Sequence, residues 1–486
     1  MSHYTRLVTF ALVLFCCHRT FAQSGELYRY QDLSHIFYQK QIDSLKKVWV
    51  CPNIYKEKAT QKQYKEYWDD RTEFVTKSIK DDNFLYEKEV YGYIDSLINQ
   101  IVQANKQLIP VKPLVLIDRS AVVNAYAMGG NILAINLGLV AFSRSREDLA
   151  LTIAHELSHN IMLHPENGLK QRAEWITSDE YKNAMNAVLD QKYERLTRLK
   201  KIFQGYSFSR SRHQRYHESD ADSLAIVLLK KSNIGFDPSF FLRLDSADLQ
   251  FKQPLKQPLQ QYFAAYNVTI DNAWTQKRAK GLSTRAYSFK DSTSRVQDSL
   301  KTHPDCVDRY NKTLALGNVK NNFTPIPAAI KEKAKKMQLW NMYVNMNLTA
   351  CMYTILMEKD KGNTDPWYDF MAGNVITGLY YADRDLSRFN AVGVVPKEFI
   401  SKDYYELQTL FEQIPREKLE EISKTLLTAH AWPNIKKDEA AFHRLMKSLT
   451  TESDISQSNK TNIGKTFINS NENSLYAEFA HKFDKP

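Results

Sequence analysis

The chain has little of what builds special-purpose folds. Of its 486 residues, 15 are Gly, 15 are Pro and 5 are Cys. So little Gly and Pro excludes a collagen-like or low-complexity chain, and 43% hydrophobic residues exclude a wholly disordered one. Two cysteines fall in the first seventeen residues, leaving Cys51, Cys306 and Cys351. Such a sparse, odd set is no disulfide framework and allows at most one bridge. Charge of one sign is also scarce: 66 Lys and Arg face 55 Asp and Glu, a net +11. No dense basic block interleaved with aromatics occurs, so nucleic acid is not expected as a partner. The surplus reads as a solvated basic surface. A surface-binding basic protein, whose binding moderate salt would abolish, is the weakest alternative.

Long apolar runs are missing too, apart from one near the start. MSHYTR, with Arg6, precedes the eleven-residue run LVTFALVLFCC, and HRTFAQS follows. This three-part pattern is that of a secretory signal peptide, too short to span a bilayer comfortably. Cleavage is expected after Ala22, with Thr20 two positions earlier. A lipid anchor at Cys16 or Cys17 is disfavoured, because Phe15 or Cys16 stands where a small residue is needed. Losing residues 1–22 removes Arg6 and Arg19 and leaves +9. The expectation is an exported protein of a bacterial periplasm or cell envelope, without a membrane span in the mature chain. Peripheral association with the envelope stays open.

At about 150 residues per domain, the length suggests two or three domains. The expected division is a leader over 1–22, an N-terminal helical extension over 23–80, a central domain over 81–325, and a C-terminal helical region with a polar tail over 326–486. Val90, Ile94, Leu97, Ile98 and Ile101 share one face of a helix in residues 83–105. Leu114 to Ile117 reads as a strand. Residues 123–128 and 132–136 flank Gly129-Gly130-Asn131 as a β-hairpin. Ser145 and Asp148 form a capping box ahead of a helix whose Leu149, Ile153, Leu157 and Ile161 repeat every four residues, with Pro165 closing it. Residues 168–204 read as one polar helical segment, and 215–231 as an apolar helix ended by Gly235. Asp237-Pro238 opens another helix. Residues 450–475, rich in Ser, Thr and Asn, read as mobile.

The chemistry sits in His155-Glu156-Leu157-Ser158-His159, an HExxH motif on the capped helix. Two histidines at i and i+4 lie on one helix face, so both imidazoles can reach one tetrahedral Zn²⁺ at about 2.0–2.1 Å. Glu156 beside them can take a proton from a water and pass it to a leaving amine. Chance would produce the motif about once or twice in a hundred chains of this composition. The metzincin pattern HExxHxxGxxH is excluded, because Met162 and Pro165 stand at its Gly and third His. Glu174 and Glu180 are nearer candidates for a third ligand, but neither is followed by an acid four residues on. Glu218 and Asp222 are, as i and i+4 on a second helix. Glu218 can ligate, and Asp222 can fix the tautomer of a ligating imidazole. An exposed carboxylate cluster favouring the helix dipole is the plainer reading of that pair. His164 reads as a helix C-terminal residue favourable to the dipole, and His213 and His217 as structural or solvated.

HELSH followed by ESDAD resembles the gluzincin family of HtpX and the CAAX prenyl endopeptidases, metallopeptidase family 48. Asn124-Ala125-Tyr126-Ala127-Met128-Gly129-Gly130 is similar to that family's edge hairpin, Ser145 to His159 to its entry into the active-site helix, and Thr302-His303-Pro304 with Arg309 to its HP…R element. The likeness covers roughly residues 83–320. It implies an α+β, mainly α chain: a zincin peptidase domain with an HExxH helix, a second ligand helix and a small antiparallel sheet, plus a C-terminal helical region. It also implies one Zn²⁺ per chain, held by His155, His159 and Glu218, with Glu156 as general base and Asp222 behind the ligands. His303 would sit over the metal, or else be a turn histidine before Pro304. Arg309 would bind substrate or the tetrahedral oxyanion. Asn124 to Met128 would pair with an extended peptide. Absence of further apolar segments argues against prenylated substrates. The function implied is an exported zinc endopeptidase acting on unfolded or misfolded proteins in envelope quality control. The alternative is an envelope chaperone or assembly factor with a latent or regulatory zinc site.

Overall fold

The computed structural model describes residues 34–80, 83–276, 306–317 and 323–429, and beyond them 441–442, 445–446, 457–472, 474, 477 and 480–481. The expected leader, its expected cleavage point and His303 lie outside the described residues. Helices α1 (Ser34–Val48) and α2 (Lys58–Lys80) precede β1 (Phe84–Leu85) and α3 (Lys88–Ala104). In α3 the apolar positions expected on one face are all buried, and the Glu87 carboxylate caps the helix by accepting the Val90 N–H at 2.7 Å.

Strands β2 (Leu114–Asp118), β3 (Ala125–Gly129) and β4 (Ile132–Asn136) complete a sheet of order β1-β2-β4-β3. The turn between β3 and β4 is Gly130-Asn131, with φ of +58° and +63°. Positive φ at both positions is what a tight hairpin with right-handed twist requires. A Cβ at Gly130 would also run into the Trp49 indole. The sheet is mixed rather than antiparallel as expected, because β2 runs parallel to β4. Every residue of β4 is buried, and β3 is not. The more apolar return strand therefore takes the centre, and β3 is left at the edge. Burial alternates along the central strands. Val115, Ile117, Leu133 and Ile135 face the main core, while Leu116, Ile132 and Ala134 face Tyr38 and Val75 of α1 and α2.

After α4 (Leu137–Phe142) comes the motif helix α5 (Arg146–Ile161), then α6 (His164–Thr177), α7 (Asp179–Leu189), α8 (Arg195–Lys231), α9 (Ser239–Asp245) and α10 (Cys306–Ala315). Two expectations change here. The polar segment 168–204 is divided among α6, α7 and the start of α8, and α8 is one 37-residue helix rather than one beginning near 215. Periodicity exposes only the packed half of α8, where Ala221, Ala225, Leu228 and Leu229 are buried. Pro165 starts α6 instead of closing α5, so His164 stands at a helix N-terminus, not at a C-terminus.

The C-terminal part is helical: α11 (Ala328–Val344), α12 (Leu348–Asp360), α13 (Pro366–Arg384), α14 (Lys402–Gln413), α15 (Arg416–Ala429) and α16 (Gln457–Ser470). The last occupies the stretch read as mobile. Trp340, Tyr343, Trp367 and Tyr404 join the same apolar core as α3, β4 and α5. Residue Thr324 straps the start of α5: its C=O accepts the Arg146 N–H and its N–H donates to Glu147, both at 2.8 Å. Cys51, Cys306 and Cys351 are free thiols. Among the described residues no helix is long and apolar enough to cross a membrane.

Candidate active site

Helix α5 begins with the expected capping box. Ser145 Oγ accepts the Asp148 N–H at 3.1 Å, and Asp148 Oδ2 accepts the Ser145 N–H at 3.3 Å. Arg243 from α9 locks Asp148 with a further 2.7 Å ion pair. With Leu149, Ile153 and Leu157 packed into the core, the opposite face presents His155 and His159. Helix α8 crosses α5 and brings up Glu218 and Asp222.

The three expected ligands meet. His155 Nε2 lies 3.1 Å from His159 Nε2 and 3.2 Å from Glu218 Oε2, and His159 Nε2 lies 3.4 Å from Glu218 Oε1. A tetrahedral ion with bonds of about 2.0–2.1 Å spaces its donors roughly 3.3 Å apart. The donor set of two imidazoles and a carboxylate, and its spacing, therefore fit a zinc-type cation. Burial works against charge on His155 and the Arg309 guanidinium adds to that, but hydrogen bonds to Asp222 and Glu218 outweigh both and raise it to about 9. The pocket favours positive charge where the imidazoles converge.

Each imidazole is held from behind. His155 Nδ1 is 2.8 Å from Asp222 Oδ1, which directs its Nε2 lone pair inward. Burial pushes the Asp222 carboxyl up, yet the hydrogen bonds from His155 and Arg309 hold it below its ordinary value. Arg309, expected at the substrate or oxyanion, makes its ion pair with Asp222. Its Nε donates to Asp222 Oδ2 at 2.8 Å and its Nη2 to Oδ1 at 2.6 Å, while its guanidinium lies 4.3 Å over the Phe241 ring. Its Nη2 also lies 3.3 Å from His155 Nδ1, and Arg309 lines the cavity beside His155 and Glu156, so it touches both the support of His155 and the pocket.

The support of His159 was missed. His159 Nδ1 lies 2.8 Å from Nδ1 of His164, whose ring stacks on His217 with centroids 4.2 Å apart. Burial first, then His217, pushes His164 down to about 4. A neutral His164 can accept the His159 Nδ1–H, which leaves the His159 Nε2 lone pair facing Glu218. Leu163, at φ +54°, turns the chain back between them. The only sequence signal was Pro165, and it marks a helix start as readily as a helix end.

Glu156, one residue on from His155, points at the edge strand, where its Oε2 accepts the Ala127 N–H at 2.8 Å. Thus the expected substrate strand runs alongside the expected base. Its Tyr126 hydroxyl donates to Asp118 at 2.6 Å and anchors β3 to β2. The hairpin tip is fixed by Glu166, which accepts the Gly130 N–H at 2.6 Å and lies 3.6 Å from Arg71 of α2. Arg71 in turn stacks on Trp49 and Trp68. Beside Glu156 and His155 opens a cavity of about 170 Å³ walled by Val123, Leu139, Leu151, Phe241 and Leu244. Polar groups that can hold a cation, a neighbouring carboxylate, an edge strand and an apolar side-chain pocket thus lie together.

Comparison with known proteins agrees with this geometry. The family model described as Peptidase family M48 matches residues 89–316. The chain is also 27% identical, over 159 residues, to a Vibrio cholerae serotype O1 protein named as a beta-barrel assembly-enhancing protease. That stretch is 31% of this chain and 32% of the relative, so the chain spans about a third of the length of the curated relative it matches.

Proposed function

Residues 89–316 form a domain of peptidase family M48, and from that premise we propose that the chain is a zinc-dependent endopeptidase that hydrolyses unfolded polypeptides. The observation that carries this reading is the convergence of His155, His159 and Glu218 within 4.8 Å beside a Glu156 hydrogen-bonded to the edge strand β3. His155, His159 and Glu218 would hold the ion. A bound zinc supplies Lewis acidity, polarising the scissile carbonyl and easing deprotonation of water. Glu156 takes that water proton on its carboxylate and returns it to the amide nitrogen as the C–N bond breaks. The outer edge of β3 binds the peptide main chain, which reads extended shape more than sequence. Arg309, through Asp222, orients His155, and His164 orients His159.

Cleavage of unfolded casein should stop when a chelator strips the protein and return with one zinc per chain. Undiminished cleavage by protein shown to hold no metal would overturn the reading.

The export reading rests on Arg6, the apolar run Leu7 to Cys17 and the small-residue step at Ala22. It supports a role in envelope protein quality control. Protein recovered from a bacterial envelope fraction should begin at Gln23. An intact Met1 terminus, or recovery from cytoplasm alone, would refute export. The relative's name couples proteolysis to barrel assembly, which keeps an assembly role, with the zinc site regulatory, as the second reading.

A further inference from the structure

The 170 Å³ pocket has a larger neighbour. Val123 and Ala247, which line it, also line a cavity of about 530 Å³. That second cavity lies where α4 meets α11 and α12, so part of its wall comes from residues beyond the family match. Its size is that of a ligand cleft, in the range of about 300–1,000 Å³. Phe142, Leu339 and Met357 give it an apolar lining.

Its rim is basic and under-neutralised. Lys252, Lys335 and Lys361 line it, and one carboxylate, Glu358, does. Glu358 already serves two of them, Lys335 at 2.7 Å and Lys361 at 2.6 Å. Lys252 is exposed and makes no ion pair among the described residues. One turn before Lys335 on α11, burial first and then Lys335 hold the Lys331 amine below its ordinary value.

We propose that this cavity continues the substrate cleft and takes an acidic flank of the polypeptide, its Asp or Glu carboxylates on the Lys252, Lys335 and Lys361 rim and its apolar side chains against Phe142 and Met357. The inference rests on the reading that the adjoining site binds polypeptides. Adjacency across Val123 and Ala247 makes the occupant the same chain that β3 is proposed to hold. Charge complementarity identifies its chemistry. It also gives the C-terminal helices a task, since α11 supplies Lys335 and α12 supplies Glu358.

The test uses one peptide core carrying three Glu, three Gln or three Lys on either side. Binding is read by fluorescence anisotropy on the full-length Glu156→Gln protein, and cleavage on the native protein. On one flank the Glu peptide should bind about tenfold tighter than the Lys peptide, and the gap should shrink as salt rises. Lys252→Glu, at an exposed and unpaired position, and Lys335→Gln should each cut the gap to under threefold without changing affinity for the Gln peptide. Equal binding of all three peptides on both flanks would overturn the inference, as would a charge preference that survives both substitutions. Selective binding with no cleavage by native protein would count against the peptidase reading and leave this one standing.

Discussion

Glu156→Gln should lower turnover of an unfolded protein by about 10²–10⁴-fold, the usual worth of a positioned general base, while the zinc content stays at one per chain. The amide is isosteric, and its oxygen can still accept the Ala127 N–H that the carboxylate accepts now at 2.8 Å. The strand edge and the helix therefore keep their spacing. Because Glu156 is not among the converging donors, metal affinity should not follow activity down. Full activity in this variant would sink the mechanism, and joint loss of zinc and activity would reassign Glu156 to the ligand shell. The same protein separates the two functional readings. Client binding that persists in Glu156→Gln, together with no proteolysis by the native chain, would favour the assembly reading.

Arg309→Met should destabilise the fold by about 3–5 kcal/mol, because it takes the guanidinium from the buried Asp222 carboxylate and leaves it the His155 imidazole alone. Both side chains are 9% exposed, and two hydrogen bonds of 2.8 and 2.6 Å join them. Metal affinity should fall about 10–100-fold as well, since Asp222 would no longer hold the His155 ring in one orientation. Denaturant unfolding and zinc competition measure the two effects separately. The double variant Arg309→Met with Asp222→Asn should regain most of the stability, having no lone charge, but not the metal affinity. A single variant as stable as the native chain, with unchanged zinc affinity, would return Arg309 to the substrate side of the site.

The local parts of this site were legible because helix geometry is local. Spacing of i and i+4 puts His155 with His159, and Glu218 with Asp222, on single faces wherever the helices end up. The capping box at Ser145 and the Gly130-Asn131 turn are likewise decisions of a few adjacent residues, and both are present. Legibility failed where the signal depends on partners. Arg309 lies 87 residues from Asp222, and nothing in its neighbours distinguishes a guanidinium aimed at a substrate from one locked on a buried carboxylate. His164 lies only five residues from His159, but their contact depends on a left-handed Leu163 that no pattern announces. The first half of α8 and most of α16 are polar, and Ile463, Phe467 and Ile468 give α16 only a short apolar face among Ser, Asn, Thr and Lys.

By itself, then, the sequence determined the donor types, their pairing on two helices, the base beside them and the hairpin ahead of them, since each is set by bonds and contacts within one or two turns. The tertiary structure decided what those pieces amount to. The crossing of α5 and α8 brings Glu218 to two imidazoles 59 and 63 residues back along the chain, and β3 reaches the edge only because β4 is the more deeply apolar strand. The C-terminal helices wall a basic cavity next to the one beside His155 and Glu156. Such arrangements arise when distant apolar faces are buried together, and burial depends on every element at once. The scarce charge of one sign, uninformative over the whole chain, acquires meaning only where folding gathers Lys252, Lys335 and Lys361 around a single carboxylate.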